Sequence, residues 1–161
     1  MDGKQVMLRG YMSHSIRGKK GDSCPPEEVE ANCAKAAQDG AALMALFQRW
    51  GLPVHLYVPG VHDDFVQKAY KAGYMTEKQI LDTDCEIIAD CDFLLQYDWQ
   101  DYISGGMKYE ADYCDAQRKP ILIIKRLDQR AVWYLQYTLI DMLLNKWDTP
   151  NIIKIGLHDG A

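Results

Sequence analysis

The chain has 161 residues, 48% hydrophobic and 25% charged, which fits one domain spanning 1–161 with a sizeable core and excludes wholesale disorder. Eighteen basic against twenty-three acidic residues give a formal charge of -5, with no basic stripe of the kind that tracks nucleic-acid phosphates. No apolar stretch approaches the ~20 residues that cross a bilayer, and Met1-Asp2-Gly3-Lys4-Gln5 lacks the shape of a signal peptide, so a cytoplasmic protein with no membrane or nucleic-acid partner is expected.

Strand and helix signals then alternate along the chain. Val6 to Met12 reads as a first strand that runs into a polar loop from about His14 to Pro26. Val29, Cys33, Ala36, Gly40, Leu43, Phe47 and Trp50 recur at spacings of three and four, the mark of a long amphipathic helix ended by Gly51 and Pro53. Val54 to Val58 is a second strand, Asp63 to Ala72 a short helix, and Thr76 starts another with Glu77 in its first turn. Phe93 to Tyr97 reads as a buried strand, and a loop ending in Ser104-Gly105-Gly106 leads into a helix to about Arg118. Pro120 to Ile124 is a fourth strand, Ala131 to Trp147 a helix apolar on more than one face, and Ile152 to Ile155 a last strand. This alternation predicts an α/β, Rossmann-like (flavodoxin-like) three-layer fold with a mostly parallel, about five-stranded sheet. In such sheets the ligand lies outside the carboxyl ends of the strands, so the loops after the first and third strands are where chemistry is expected.

The five cysteines (Cys24, Cys33, Cys85, Cys91, Cys114) form no CxxC pair and read as reduced core side chains. The four histidines have no metal-ligand spacing, and no metal is expected.

Two carboxylates stand on apolar helical stripes. Asp84 shares a stripe with Ile80, Leu81, Cys85, Ile88 and Cys91, where a carboxylate must be capped, paired, protonated or open to a pocket. Glu110 shares one with Met107, Ala111 and Cys114, about two turns beyond Ser104-Gly105-Gly106. Glycines at a strand-to-helix turn admit an anion to backbone N–H groups, although a solvated carboxylate favoured by the helix dipole fits the same spacing. In the first loop, Ser15-Ile16-Arg17-Gly18 offers a hydroxyl, backbone donors and a guanidinium for a phosphate dianion, while Arg17 has Asp22 and Glu27 as alternative partners. Lys19 and Lys20 read as solvated loop charges, and Tyr11 as a core aromatic at a strand end.

Tyr11-Met12-Ser13-His14-Ser15-Ile16-Arg17-Gly18 resembles the opening motif of the 2'-deoxynucleoside 5'-phosphate N-hydrolases, where a tyrosine is followed closely by Ser-Ile-Arg-Gly. Asp84 matches that family's acidic residue on the helix before the third strand, and Ser104, Gly106 and Glu110 match its Ser-x-Gly-x-x-x-Glu motif. The wider superfamily includes the nucleoside 2-deoxyribosyltransferases. The chain differs in a longer Gly21 to Glu30 stretch, an insertion from Pro59 to Tyr74, and His14 in place of a small residue.

The resemblance implies cleavage of the N-glycosidic bond of a (deoxy)nucleoside 5'-monophosphate. Glu110 would act at C1' as nucleophile or charge stabiliser, Asp84 would protonate or hold the base, and Tyr11 would orient Glu110. Ser15, Ile16 (by its backbone), Arg17, Gly18, Ser104 and Gly106 would hold the 5'-phosphate. No cofactor is implied, the partner is a small-molecule nucleotide, and a homodimer or larger homo-oligomer is expected. Transfer of the sugar to a second base, or nucleotide sensing without turnover, would use the same pocket.

Overall fold

The computed structural model describes residues 7–145 and 152–155, so Val6 and Trp147, assigned above to the first strand and last helix, lie outside the described residues. Five parallel strands form one sheet in the order β2-β1-β3-β4-β5. They are β1 (Leu8–His14), β2 (Val54–Tyr57), β3 (Phe93–Tyr97), β4 (Ile121–Ile124) and β5 (Ile152–Ile155). The helices are α1 (Pro26–Arg49), α2 (Asp63–Lys71), α3 (Glu77–Ala89), α4 (Gly105–Ala116) and α5 (Gln129–Leu144). The α/β Rossmann-like architecture expected from the sequence is therefore present.

Local chemistry fixes the helix starts. Pro26 occupies the first turn of α1 with Glu27 and Glu28 beside it, where a missing N–H costs nothing and negative charge is favoured. Thr76 and Gln79 form a reciprocal capping box at α3. Ser104 accepts from the Met107 N–H at α4, and Asp128 accepts from the Ala131 N–H at α5.

Several boundaries differ from the expected ones. The first strand runs on to His14 rather than stopping at Met12, because β3 pairs with it through Ser13↔Gln96 and His14↔Tyr97. Ladder bonds thus override two polar side chains that read as loop. The following loop contains a 3-10 helix over Gly18–Ser23. The helix α4 ends at Ala116 instead of Arg118, since Arg118 takes φ 57° and the Lys119 N–H turns back to the Cys114 carbonyl at 2.8 Å. Cys91 is not on the α3 stripe: the helix stops at Ala89, and Cys91 lies in the turn into β3.

Strand alternation divides the core between two faces. Met12, Leu95, Leu122 and Ile124 pack with Ala36, Leu43 and Phe47 of α1 and with Leu135 and Leu139 of α5. Tyr11, Leu94 and Ile121 pack with Ile88 of α3 and Cys114 of α4. Gly10 sits at the tightest point, where a Cβ would meet Phe93 Cζ at 2.3 Å and Leu56 Cδ2 at 2.8 Å. The chain goes from β1 out to β2 and returns to β3 on the other side, which opens a crevice at their carboxyl ends. Among the described residues, no helix is long and apolar enough to cross a membrane.

Candidate functional site

A cavity of about 490 Å³ occupies that crevice. Its wall includes Ser15, Ile16, Arg17 and Gly18 after β1, Asp84 from α3, and Ser104, Gly106 and Glu110 from the start of α4. Eight of the nine residues singled out from the sequence therefore converge here from three separate segments. The ninth, Tyr11, is completely buried and lies behind the cavity rather than on its wall.

Tyr11 reaches the site through Glu110. Its hydroxyl donates to Glu110 Oε1 at 3.0 Å, and the Ser13 hydroxyl donates to Oε2. Tyr11 and Ser13 are two apart on β1 and so point to the same face, toward α4. Both carboxylate oxygens of Glu110 are thereby engaged from below by one strand. Ser13 was not anticipated from the sequence, although its alternation with Tyr11 places it beside any partner that Tyr11 has. Tyr57 from β2 stacks on Tyr11 with ring centroids 5.6 Å apart, which fixes the phenol laterally.

Glu110 is 7% exposed and sits in the second turn of α4. Burial pushes its carboxyl up to about 8, the Ser13 and Tyr11 hydroxyls pull against that shift, and the charge of Asp84 adds to it. Asp84 is partly buried, and loss of hydration raises its carboxyl to about 6 against a smaller opposing pull from Tyr11. The Tyr11 phenol is raised well above its ordinary value, by burial first and then by both carboxylates. Both carboxyl groups are therefore raised toward neutral pH within one cavity.

The anion side is built from short local contacts. Ser15 Oγ accepts from the Gly18 N–H at 2.9 Å, which closes the loop and leaves the Ser15 O–H available as a donor. Gly18 adopts φ +59°, and a Cβ there would also meet Gln100 Oε1 at 2.9 Å, so the turn requires glycine. The Ile16 carbonyl accepts from Asn32 Nδ2 at 2.9 Å, pinning the loop to α1. Ser104 Oγ accepts from the Met107 N–H at 3.2 Å, and the N–H groups of Gly105 and Gly106 begin the helix without partners of their own in it. Arg17 takes the alternative partner considered for it, bonding Asp22 Oδ1 through Nη1 at 2.9 Å, yet it still lines the cavity. Lys20 pairs with Glu28 and stays outside.

One stretch of wall has no counterpart among the residues singled out from the sequence. His14, Gly60 and the α2 residues Asp63, Val66, Gln67 and Tyr70 also line the cavity. The spacing of the α2 residues was visible in the sequence, but its polar character carried no core signal. Among the described residues, no group of three His, Cys, Asp or Glu side chains is arranged to hold a metal ion. Comparisons with protein-family models, curated proteins and solved structures find nothing that matches this chain.

Proposed function

We propose that this chain cleaves the N-glycosidic bond of a (deoxy)nucleoside 5'-monophosphate, releasing free base and (deoxy)ribose 5-phosphate. The observation that carries this reading is the carboxylate pair Glu110 and Asp84, both raised by burial, facing one cavity beside an anion cradle. Bond cleavage at C1' gives an oxocarbenium-like centre and a departing base, which need a negative oxygen at the sugar and a proton at the base. The resemblance of Ser15-Ile16-Arg17-Gly18 and of Ser104, Gly106 and Glu110 to the 2'-deoxynucleoside 5'-phosphate N-hydrolases points the same way.

Glu110 is the more strongly raised group, so a single proton on the pair favours Glu110. Attack at C1' needs it on Asp84. The Tyr11 and Ser13 hydroxyls, which donate to the two Glu110 oxygens, favour the form in which Glu110 is ionised and the proton has exchanged to Asp84. Glu110 then attacks C1', the C1'–N bond breaks, and its electron pair leaves with the base nitrogen, which takes the proton from Asp84. Water attacks C1' of the resulting ester and gives a proton to Asp84; the C1'–O bond to Glu110 breaks and frees the sugar phosphate. Arg17, Ser15, Ser104 and the N–H groups at the start of α4 hold the phosphate throughout.

The test is chromatography of a panel of nucleoside and deoxynucleoside 5'-monophosphates incubated with the wild type and with Glu110→Gln. Free base from at least one nucleotide, falling by orders of magnitude in the variant while nucleotide binding persists, is the expected result. Undiminished release by a folded Glu110→Gln protein would remove Glu110 from the mechanism, and no release by the wild type would end the glycosidase reading.

A further inference from the structure

The helix α2 has no buried residue. Its Asp63, Val66, Gln67 and Tyr70 are spaced i, i+3, i+4 and i+7, which puts them on one face. A helix of an α/β domain ordinarily turns such a face to the sheet, whereas all four of these residues line the cavity. Gln67 Nε2 donates to Asp63 Oδ1 at 3.3 Å, which orients the amide and leaves its carbonyl oxygen as an acceptor. Asp63 also accepts from the Cys33 thiol, and as a carboxylate it keeps further acceptor lone pairs, so the polar edge of this wall is rich in acceptors. Val66 and Tyr70 on the same face supply apolar surface against which a flat ring can lie. His14 lines the same cavity, and its two ring nitrogens are buried without a hydrogen-bond partner. Burial lowers that imidazole to about 4, so it stands neutral, with one donor and one acceptor.

We propose that the cavity face of α2 is the base-reading wall and that Asp63 and Gln67 select nucleobases bearing an exocyclic amino group over their oxo counterparts: cytosine over uracil, adenine over hypoxanthine. This rests on the nucleotide reading of the site given above. The reasoning is one of matching. An amino group donates to an acceptor-rich wall, whereas a carbonyl in the same place sets oxygen against oxygen and leaves both without a partner. The phosphate donors come from the loops after β1 and β3, whereas α2 is a separate stretch of the same cavity wall, against which a base can present its hydrogen-bonding edge.

The experiment compares matched pairs, dCMP with dUMP and dAMP with dIMP, by base release and by calorimetric affinity. Wild type, Asp63→Asn and Gln67→Met are measured, and thermal melts establish that each variant is folded. The wild type is expected to favour the amino member of each pair by about tenfold or more. Asp63→Asn, which replaces an acceptor with a donor, should erase or invert that preference, and Gln67→Met should weaken it. Base release without discrimination within the pairs, or equal losses for both members in Asp63→Asn, overturns the proposal and leaves the glycosidase reading standing. If no base is released, the affinities of the wild type decide alone: preference for dCMP over dUMP upholds the wall, equal affinity overturns it. No binding of any of the four overturns both.

Discussion

The Tyr11 hydroxyl donates to Glu110 Oε1 at 3.0 Å and so ties the middle of β1 to the second turn of α4 across 99 residues of sequence. With Ser13 on the other oxygen, the carboxylate is held by a strand that is itself paired on both sides, to β2 and to β3. A side chain anchored to the centre of the sheet keeps its position when the loops around it move, which is the condition for placing a reactive oxygen at one substrate atom.

The first prediction concerns stability and pH. Glu110 titrates near 4.5 when unfolded and about 8 when folded, so between these values the folded chain keeps a proton that the unfolded chain has lost. Stability therefore falls as pH rises through this window, and Asp84 adds a fall between 3.8 and about 6. His14 acts oppositely: its folded value of about 4 lies below 6.5, so it adds stability as pH rises to 6.5 and nothing beyond. Above pH 6.5 the Glu110 effect stands nearly alone, and Tm should decline from there to pH 8. Thermal melts of Glu110→Gln should show that decline flattened, and Asp84→Asn should be as stable as the wild type at pH 7 or more so.

Ser13→Ala removes a donor that lowers the Glu110 carboxyl, which should then move further up. The ionised fraction at pH 7 falls, and base release should drop about tenfold there. A pH–rate profile separates this from mere loosening: the plateau falls and the alkaline limb moves to higher pH, because the proton sits more on Glu110 and less on Asp84. A loss with both limbs unmoved would give Ser13 a packing role only.

Arg17 is one-third exposed and its partner Asp22 is almost fully so, which makes their ion pair worth little to stability. Arg17→Ala should melt close to the wild type. Its effect belongs to the phosphate: a loss of about one to two decades in kcat/KM for the nucleotide, and a small loss for the matching nucleoside. Equal losses on both substrates would make Arg17 a support of the loop.

Gly10→Ala tests the sheet beneath the site. The added methyl would collide with Phe93 and Leu56, both fully packed, so a destabilisation of about 1–3 kcal/mol and a Tm lower by roughly 3–10 °C are expected. A melting curve unchanged from the wild type would show that Phe93 has room to turn aside.

Self-association is expected from α5. Ala131, Leu135, Leu139 and Met142 cover the sheet, while Trp133 and Tyr137 pack on each other at 4.5 Å and remain half-exposed. Light scattering at micromolar concentration should give at least a dimer, and Trp133→Lys should shift it toward monomer. A monomeric wild type would contradict the expectation.

Much of this was legible in the sequence, for identifiable reasons. Phe93 to Tyr97 and Ile152 to Ile155 matched their strands to the residue, because short runs dominated by Phe, Leu and Ile leave little choice of boundary. The helix of Asp84 was legible from its stripe and from Thr76, and the cradle from glycines and hydroxyls where strands give way to helices. The extension of β1 to His14 was not, since only pairing with β3 draws Ser13 and His14 into the ladder. Tyr11 was assigned to Glu110 by resemblance, but that it works from behind the cavity follows only from the alternation of β1. The α2 wall escaped notice because its inward face meets a cavity, and a face with no core to bury writes no hydrophobic pattern.

That last feature separates two kinds of change in this protein. Substitutions on the inner face of α2 alter what the cavity accepts without touching the packed layers, since no residue of that helix belongs to them. Changes at Tyr11, Ser13 or Glu110 alter the buried carboxylate and its tie to the sheet together. On the proposed function, a lineage built on this fold can exchange ligands through one nine-residue segment while the carboxylate pair and the packed layers stay fixed.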